Sequence, residues 1–249
     1  MTAMDVTVDI QQILIISAGV VFASVLRAFT GFGFALAVVP VLAVFLAPAE
    51  VVVLAASLAL VLGFISVRVW WGVFTLREVL PLILLALLGT VMGASLLTGI
   101  SGGSFQLLAG IAVLLACVGI TVSRPSTPVD SPVLTGSAGF ISGLMNGALA
   151  VPGPPIIVYA LLTEFDPARS RALMMLFFSV SSVLALASYV VAGLYVPGTL
   201  WYVVLALPAL YLGNRLGNAL FLKYFGQFYR RVAVLVLLAM GIMVIVRAL

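Results

Sequence analysis

The chain has 249 residues, of which 65% are hydrophobic and 7% are charged, and its mean hydropathy is +1.38. Soluble chains carry about 25% charged residues, so this composition excludes a soluble domain and predicts an integral membrane protein. The net charge of +4 includes no basic block, and we therefore expect no nucleic-acid partner. Histidine is absent and Cys117 is the single cysteine. Without these groups we expect neither an enzyme nor a bound metal or cofactor.

Ten apolar elements follow one another along the chain. In order, they cover residues 10–29, 34–47, 51–69, 79–98, 105–122, 133–150, 154–163, 172–191, 199–221 and 229–247. A helix needs about 20 residues to span a bilayer, so the second and seventh elements are too short. The runs are continuously apolar instead of alternating, which predicts an all-α membrane protein and excludes a strand-based barrel.

Positive charges lie on alternate connections between these elements. One set of connections holds Arg68, Arg77, Arg124, Arg169, Arg171, Lys223, Arg230 and Arg231. The opposite set, at 48–50, 98–104, 151–153 and 192–198, contains no Lys or Arg. Because basic loops stay in the cytoplasm, we expect both termini outside.

The two halves of the chain repeat their glycines and prolines about 120 residues apart. The matches include Gly33 with Gly153, Pro48 with Pro167, Gly89 with Gly213 and Gly93 with Gly217. Five elements per half is an odd number, so the second copy enters the membrane from the opposite face, which predicts an inverted-topology repeat. We predict one transporter domain over 1–249, with repeat one at 10–122, a linker at 123–132 and repeat two at 133–247. Each repeat would hold a broken helix or hairpin and three transmembrane helices, about eight to ten membrane elements in all.

Each half contains one break that is a candidate for the binding site. Arg27 lies in the first apolar run, just before the glycines of the first break, and Asn146 lies at the matching position of the second half. A charge inside the bilayer costs about 2.5–3.5 kcal/mol on insertion scales and indicates function, although an arginine that snorkels to the headgroups is the alternative. The short helices that start near Phe34 and Pro154 would point unpaired N–H groups and positive dipole ends at mid-membrane. This arrangement predicts an anion site.

The predicted substrate-binding residues are Arg27, Thr30, Gly31, Phe32, Gly33, Phe34, Ser57, Asn146, Pro152, Gly153, Pro154 and Ser179. Arg215, in the ninth element, either lines the path or snorkels, and the sequence favours neither. The acidic residues all lie in loops or at element ends, so we expect no buried carboxylate for a coupling cation. Because the potential of a negative-inside cell drives anions outward, the sequence favours export.

The chain resembles the sulfite exporter TauE/SafE family, also called the 4-toluene sulfonate uptake permease family, from about Ile13 to Val246. The resemblance rests on the duplicated layout and on three motifs: Thr30-Gly-Phe-Gly-Phe34 with Pro40, Gly143-Leu-Met-Asn-Gly147, and Pro152-Gly-Pro-Pro155. It implies a roughly eight-helix protein of the bacterial inner (plasma) membrane that exports sulfite, sulfoacetate or another organosulfonate. Where many members have glycine runs, this chain has Gly33-Phe34-Ala35 and Ala150-Val151-Pro152-Gly153-Pro154, which leaves the substrate open.

We therefore expect an exporter that works by alternating access, with a small anion and the lipid bilayer as its partners. An anion channel or an uptake permease of the same fold is an alternative, and a non-transporting membrane scaffold is a third. The sequence predicts no oligomeric state.

Overall fold

The computed structural model describes residues 10–30, 33–121, 127–129, 131–194, 198–223 and 227–248. Within these residues it is helical and contains no strand, which confirms the predicted all-α class. Gly31, Phe32 and half of the predicted linker (residues 123–126 and 130) lie outside the described residues. The described helices are α1 (Ile10–Thr30), α2 (Phe34–Leu42), α3 (Pro48–Ile65), α4 (Val67–Trp70), α5 (Leu76–Leu97), α6 (Gly102–Thr121), α7 (Pro132–Leu149), α8 (Gly153–Thr163), α9 (Pro167–Val191), α10 (Thr199–Lys223) and α11 (Gln227–Ala248).

Prolines and caps determine where several of these helices begin. Pro48, Pro132 and Pro167 are the first residues of α3, α7 and α9, where a missing N–H removes no intrahelical hydrogen bond. The Ser131 hydroxyl accepts from the Leu134 N–H, and the Asp166 carboxylate accepts from the Ala168 N–H, so both helix starts are also capped.

The two short helices lie where the sequence predicts them. Helix α2 has 9 residues and α8 has 11, so neither is long enough to cross a bilayer. Helix α2 ends earlier than predicted, at Leu42, and the third predicted element is divided at Ser66 into α3 and the single turn α4. Among the described residues, α3, α5, α9 and the Gly102–Gly119 part of α6 are long and apolar enough to span a membrane.

Several contacts between helices of the first and second halves of the chain occur as matching pairs. The most extensive contacts are those of α5 with α7 and of α1 with α10, which are counterparts when α1, α2, α3, α5 and α6 are matched in order to α7–α11. The contact of α5 with α9 matches that of α10 with α3, and α6 with α8 matches α11 with α2. Helices α3 and α9 meet each other, as do α6 and α11. Each half therefore packs mainly against the other half.

Glycines permit the closest of these approaches. A Cβ atom added to Gly143 of α7 would lie 2.7 Å from the Ala86 Cα atom of α5, and Gly89 and Gly93 are equally close to the α7 backbone. In the counterpart pair, a Cβ atom at Gly213 of α10 would lie 2.7 Å from the Ser24 Cβ atom of α1. The spacing Gly89-x-x-x-Gly93, which recurs at Gly213-x-x-x-Gly217, is typical of helices that approach closely, and such an approach is present at Gly89, Gly93 and Gly213.

An ion-pair cluster joins the two halves near the start of α9. Arg169 Nη2 lies 2.7 Å from Glu78 Oε1, and Arg169 Nε lies 3.0 Å from Glu164 Oε2. The guanidinium also stacks over the Phe74 ring, 4.4 Å from its centroid, and donates to the Val73 carbonyl. The charge of Arg169 is therefore paired, and each of its three guanidinium nitrogens donates a hydrogen bond within the protein.

Candidate functional site

A cavity lies where the starts of α2 and α8 meet the helices α1, α3, α7 and α9. Its volume is about 60 Å³, counted as the space open to the centre of a water molecule. A cavity needs roughly 10–15 Å³ to hold one water, so this one is large enough for several waters. Its walls are mostly apolar side chains and backbone. The polar side chains that line it are Arg27, Ser66, Asn146, Ser179 and Ser182.

Arg27 is in the last turn of α1, and its guanidinium is held on two sides. Nη2 donates to Ser66 Oγ at 2.6 Å, at the end of α3, and Nη1 donates to Asn214 Oδ1 of α10 at 3.4 Å. In the described part of the chain no carboxylate lies within 4.0 Å of Arg27, so its charge has no counter-ion there. A guanidinium carries five N–H groups, and its bonds to described residues use two of them.

Asn146 lines the cavity from the other half of the chain, but its amide hydrogens are already used. Nδ2 donates to the Ser181 carbonyl at 2.8 Å and to Thr90 Oγ1 at 3.3 Å. The Asn146 main-chain carbonyl accepts from the Tyr189 hydroxyl at 2.8 Å. In this arrangement Asn146 holds the end of α7 against α5 and α9 and has no free N–H for a ligand.

The contacts of Arg27 and Asn146 are counterparts. Arg27 bonds to Asn214, the residue after Gly213, while Asn146 bonds to Thr90, the residue after Gly89. In each half, then, the polar residue that precedes the break reaches the helix that carries the opposite Gly-x-x-x-Gly motif. The glycines bring the helix backbones close enough for these bonds to form.

The three serines of the cavity present oxygen lone pairs to it. Each hydroxyl donates at 2.7 Å to the carbonyl four residues earlier, Ser66 to Leu62, Ser179 to Met175 and Ser182 to Phe178. A hydroxyl has one donor hydrogen, so these side chains have already used theirs. Among the described residues that line the cavity, the side-chain donors still available are therefore those of Arg27.

The start of α2 adds main-chain donors. Gly33 precedes the helix with φ 99°, a left-handed conformation that glycine adopts without strain. The N–H groups of Phe34, Ala35 and Leu36 follow in the first turn, where no carbonyl of the same helix can accept from them. These three residues line the cavity, so its surface carries the positive end of the α2 dipole.

The start of α8 is poorer in donors. Pro152 precedes this helix, and Gly153, Pro154 and Pro155 form its first residues. Because proline has no N–H, the Gly153 amide is the one main-chain donor of these four residues. Before this break, Ala150 ends α7 with φ 55°, a left-handed conformation that is costly for a residue with a Cβ atom.

The structure brings most of the predicted residues together. Arg27, Gly33, Phe34, Asn146, Pro152, Gly153 and Ser179 line the cavity. Among the other described candidates, Ser57 and Pro154 are not part of its lining. Gly31, Phe32 and the side chain of Thr30 lie outside the described residues. Arg215 is exposed and contacts the ring and hydroxyl of Tyr211, so it does not line the cavity.

Sequence reasoning did not select three polar residues at this site: Ser66, Ser182 and Asn214. Asn214 adjoins Arg215, and the two residues point about 100° apart on the helix. The apolar run around them contains no periodic signal that distinguishes the two faces.

A family model described as "Sulfite exporter TauE/SafE" matches residues 15–244, which is nearly the whole chain. No curated protein and no solved structure gives a significant match. The matched range includes all four described helices that are long and apolar enough to span a membrane. The chain belongs to the TauE/SafE sulfite exporter family of membrane transporters.

Proposed function

We propose that the chain exports a small sulfur-containing anion, such as sulfite, sulfoacetate or another organosulfonate, by alternating access across a bacterial inner membrane. The observation that carries this proposal is the guanidinium of Arg27, which lines a small apolar cavity without a counter-ion among the described residues. Together with the N–H groups at the start of α2, it forms a set of donors for one oxyanion group. In this proposal Arg27 and the first-turn N–H groups of α2 bind the anion, while the other predicted residues that line the cavity, with Ser66 and Ser182, form its walls.

The matched helix contacts support the proposed inverted repeat. Each contact that α5 makes with α7 or α9 has a counterpart made by α10 with α1 or α3, as expected when two copies are related by a twofold axis. Such a relation places the binding site between the copies and lets one copy rock against the other.

The position of the cavity supports loading from the cytoplasm. Ser66 is two residues before Arg68, and Met175 of the lining is four residues after Arg171. These arginines belong to the connections that the positive-inside rule assigns to the cytoplasm. We therefore propose that both termini are outside and that the described conformation faces inward.

Reconstitution into proteoliposomes tests the proposal. Vesicles loaded with sulfite or sulfoacetate should release the anion faster than protein-free vesicles, with a rate that saturates and that rises with an outward-driving potential. A rate that stays linear with concentration would identify a channel. If neither anion is released and neither raises the thermal stability of the purified protein, the scaffold alternative is favoured and the proposed function is wrong.

A further inference from the structure

We propose that Arg171 is a second substrate-contacting residue, which binds the anion at the mouth of the cavity before Arg27 receives it. This inference rests on the proposed function, since it concerns the path of the same anion. The sequence suggests for Arg171 only a role in orienting the chain.

The position of Arg171 on α9 is the first observation. Met175, Phe178 and Ser182 line the cavity and follow Arg171 by four, seven and eleven residues. At 100° per residue these positions lie on one helix face. Because helical side chains lean toward the N-terminus of their helix, the long Arg171 side chain extends from this face toward the end of the bundle. Arg171 and the cavity-lining residues Met175, Phe178 and Ser182 therefore follow one another along one face of α9.

The charge environment of Arg171 is the second observation, and Arg169 provides the comparison. Arg169 pairs with two carboxylates, those of Glu78 and Glu164. Arg171 is exposed, and no carboxylate of the described residues lies within 4.0 Å of it. Of these two arginines, only Arg171 is left to attract an anion from solution.

The third observation is that Arg27 lines the same cavity as Met175, which lies about one helical turn after Arg171 on α9. Two like charges on one path repel each other, and no carboxylate of the described residues lies within 4.0 Å of either arginine to compensate this repulsion. An anion near either group removes part of this repulsion. A pair of unneutralised arginines along one path therefore draws anions inward, and a charged group at the mouth raises the rate of association.

Exposed arginines at a membrane surface also bind lipid phosphates. A phosphate headgroup and a free sulfonate offer the same chemistry to a guanidinium, so the test must separate the two sources. Vesicles of phosphatidylcholine alone and vesicles that also contain phosphatidylglycerol provide this separation.

The experiment measures concentration-dependent sulfoacetate flux in proteoliposomes for the unaltered chain, Arg171→Gln, Arg171→Lys and the control Arg77→Gln. Arg77 is also exposed and basic and lies near the same end of the bundle, in the first turn of α5, but it is not part of the cavity lining. We expect Arg171→Gln to raise the half-saturating concentration about three- to tenfold at low ionic strength, as for lost electrostatic steering. High ionic strength should reduce this difference, and the maximal rate should stay unchanged. Arg171→Lys should stay close to the unaltered chain.

Four outcomes overturn the inference. If Arg171→Gln and Arg77→Gln give the same half-saturating concentration, Arg171 has no special role and the proposed function remains. If the effect of Arg171→Gln appears only in vesicles with phosphatidylglycerol, Arg171 binds a lipid headgroup. If only the maximal rate or the yield of folded protein falls, its role is structural. If the unaltered chain moves no anion, both the inference and the proposed function are wrong.

Discussion

Replacing Arg27 by glutamine tests the anion site directly, because the new side chain keeps a hydrogen-bonding amide but loses the charge. Two unit charges 4 Å apart interact by about 4 kcal/mol at an effective dielectric constant of ~20. Each 1.4 kcal/mol corresponds to a factor of about ten in affinity. The main-chain N–H groups of α2 keep part of the attraction, so we expect Arg27→Gln to weaken anion binding by about 10²- to 10³-fold.

Isothermal titration of the purified protein with sulfoacetate measures this loss, and proteoliposome flux gives the functional counterpart. Arg27→Lys keeps the charge, but a single ammonium group cannot reach Ser66, Asn214 and an anion in the geometry of a guanidinium. We expect it to lie between the glutamine variant and the unaltered chain. Asn214→Ala, which removes one support of Arg27 and no charge, should have a smaller effect than Arg27→Gln. The reasoning fails if a folded Arg27→Gln protein binds within about threefold of the unaltered chain.

Three further predictions concern the packing and walls of the site. Gly143→Ala should lower the free energy of unfolding by about 1–3 kcal/mol, because its new Cβ atom would overlap the α5 backbone. The control Gly102→Ala, measured by the same denaturation assay, should be nearly neutral, because no atom lies within 4 Å of the added Cβ. Equal effects of the two substitutions would refute the close approach of α5 and α7. Ala150→Gly should stabilise the fold by up to about 1 kcal/mol, because glycine relieves the left-handed conformation, and a lower denaturation midpoint would contradict this. Ser179→Ala should change sulfoacetate flux less than about twofold, because its hydroxyl already donates to a carbonyl; a loss comparable to that of Arg27→Gln would show that the hydroxyl binds the anion.

The sequence predicts the helices well because lipid imposes strong local constraints. A continuous apolar run must form a helix in a bilayer, and glycines and prolines interrupt the runs near the places where the structure does. The short α2 and α8 were predicted on this basis, and both are present. The division at Ser66 was not predicted, and the nearest glycine, Gly63, lies three residues earlier, inside α3.

The site is harder to predict, because it depends on the rotation of each helix about its axis, which decides the side chains that face the cavity. A run that is apolar all round gives no period that indicates which side faces the cavity. Ser57 was chosen from α3, whereas Ala56, Ala59 and Leu62 of the same helix line the cavity. Arg215 was considered because of its charge. The residue that contacts Arg27 is its neighbour Asn214, which lies 187 positions after Arg27 in the sequence.

Arg27 and the glycines of the breaks were easier to identify, because each residue type is unusual within a continuous apolar helix. A charge in an apolar run is costly, and a left-handed turn such as that at Gly33 requires a residue that tolerates it. Both features can be recognised from sequence without knowing which helices become neighbours. The partners of Arg27 require that knowledge, because Ser66 and Asn214 are ordinary polar residues until packing brings them together.

The two prolines at the start of α8 affect how a ligand sits in the cavity. Two helix starts of equal donor strength would give an anion two positions of equal energy, and the bound molecule would divide its time between them. Pro154 and Pro155 remove donors from α8, while α2 keeps its first-turn N–H groups and has Arg27 beside it. For the proposed substrate we therefore expect the oxyanion group to bind on the side of α2 and Arg27, with the rest of the molecule toward α8 and Ala150. The proposed repeat would then bind a molecule that has one charged end in a single orientation.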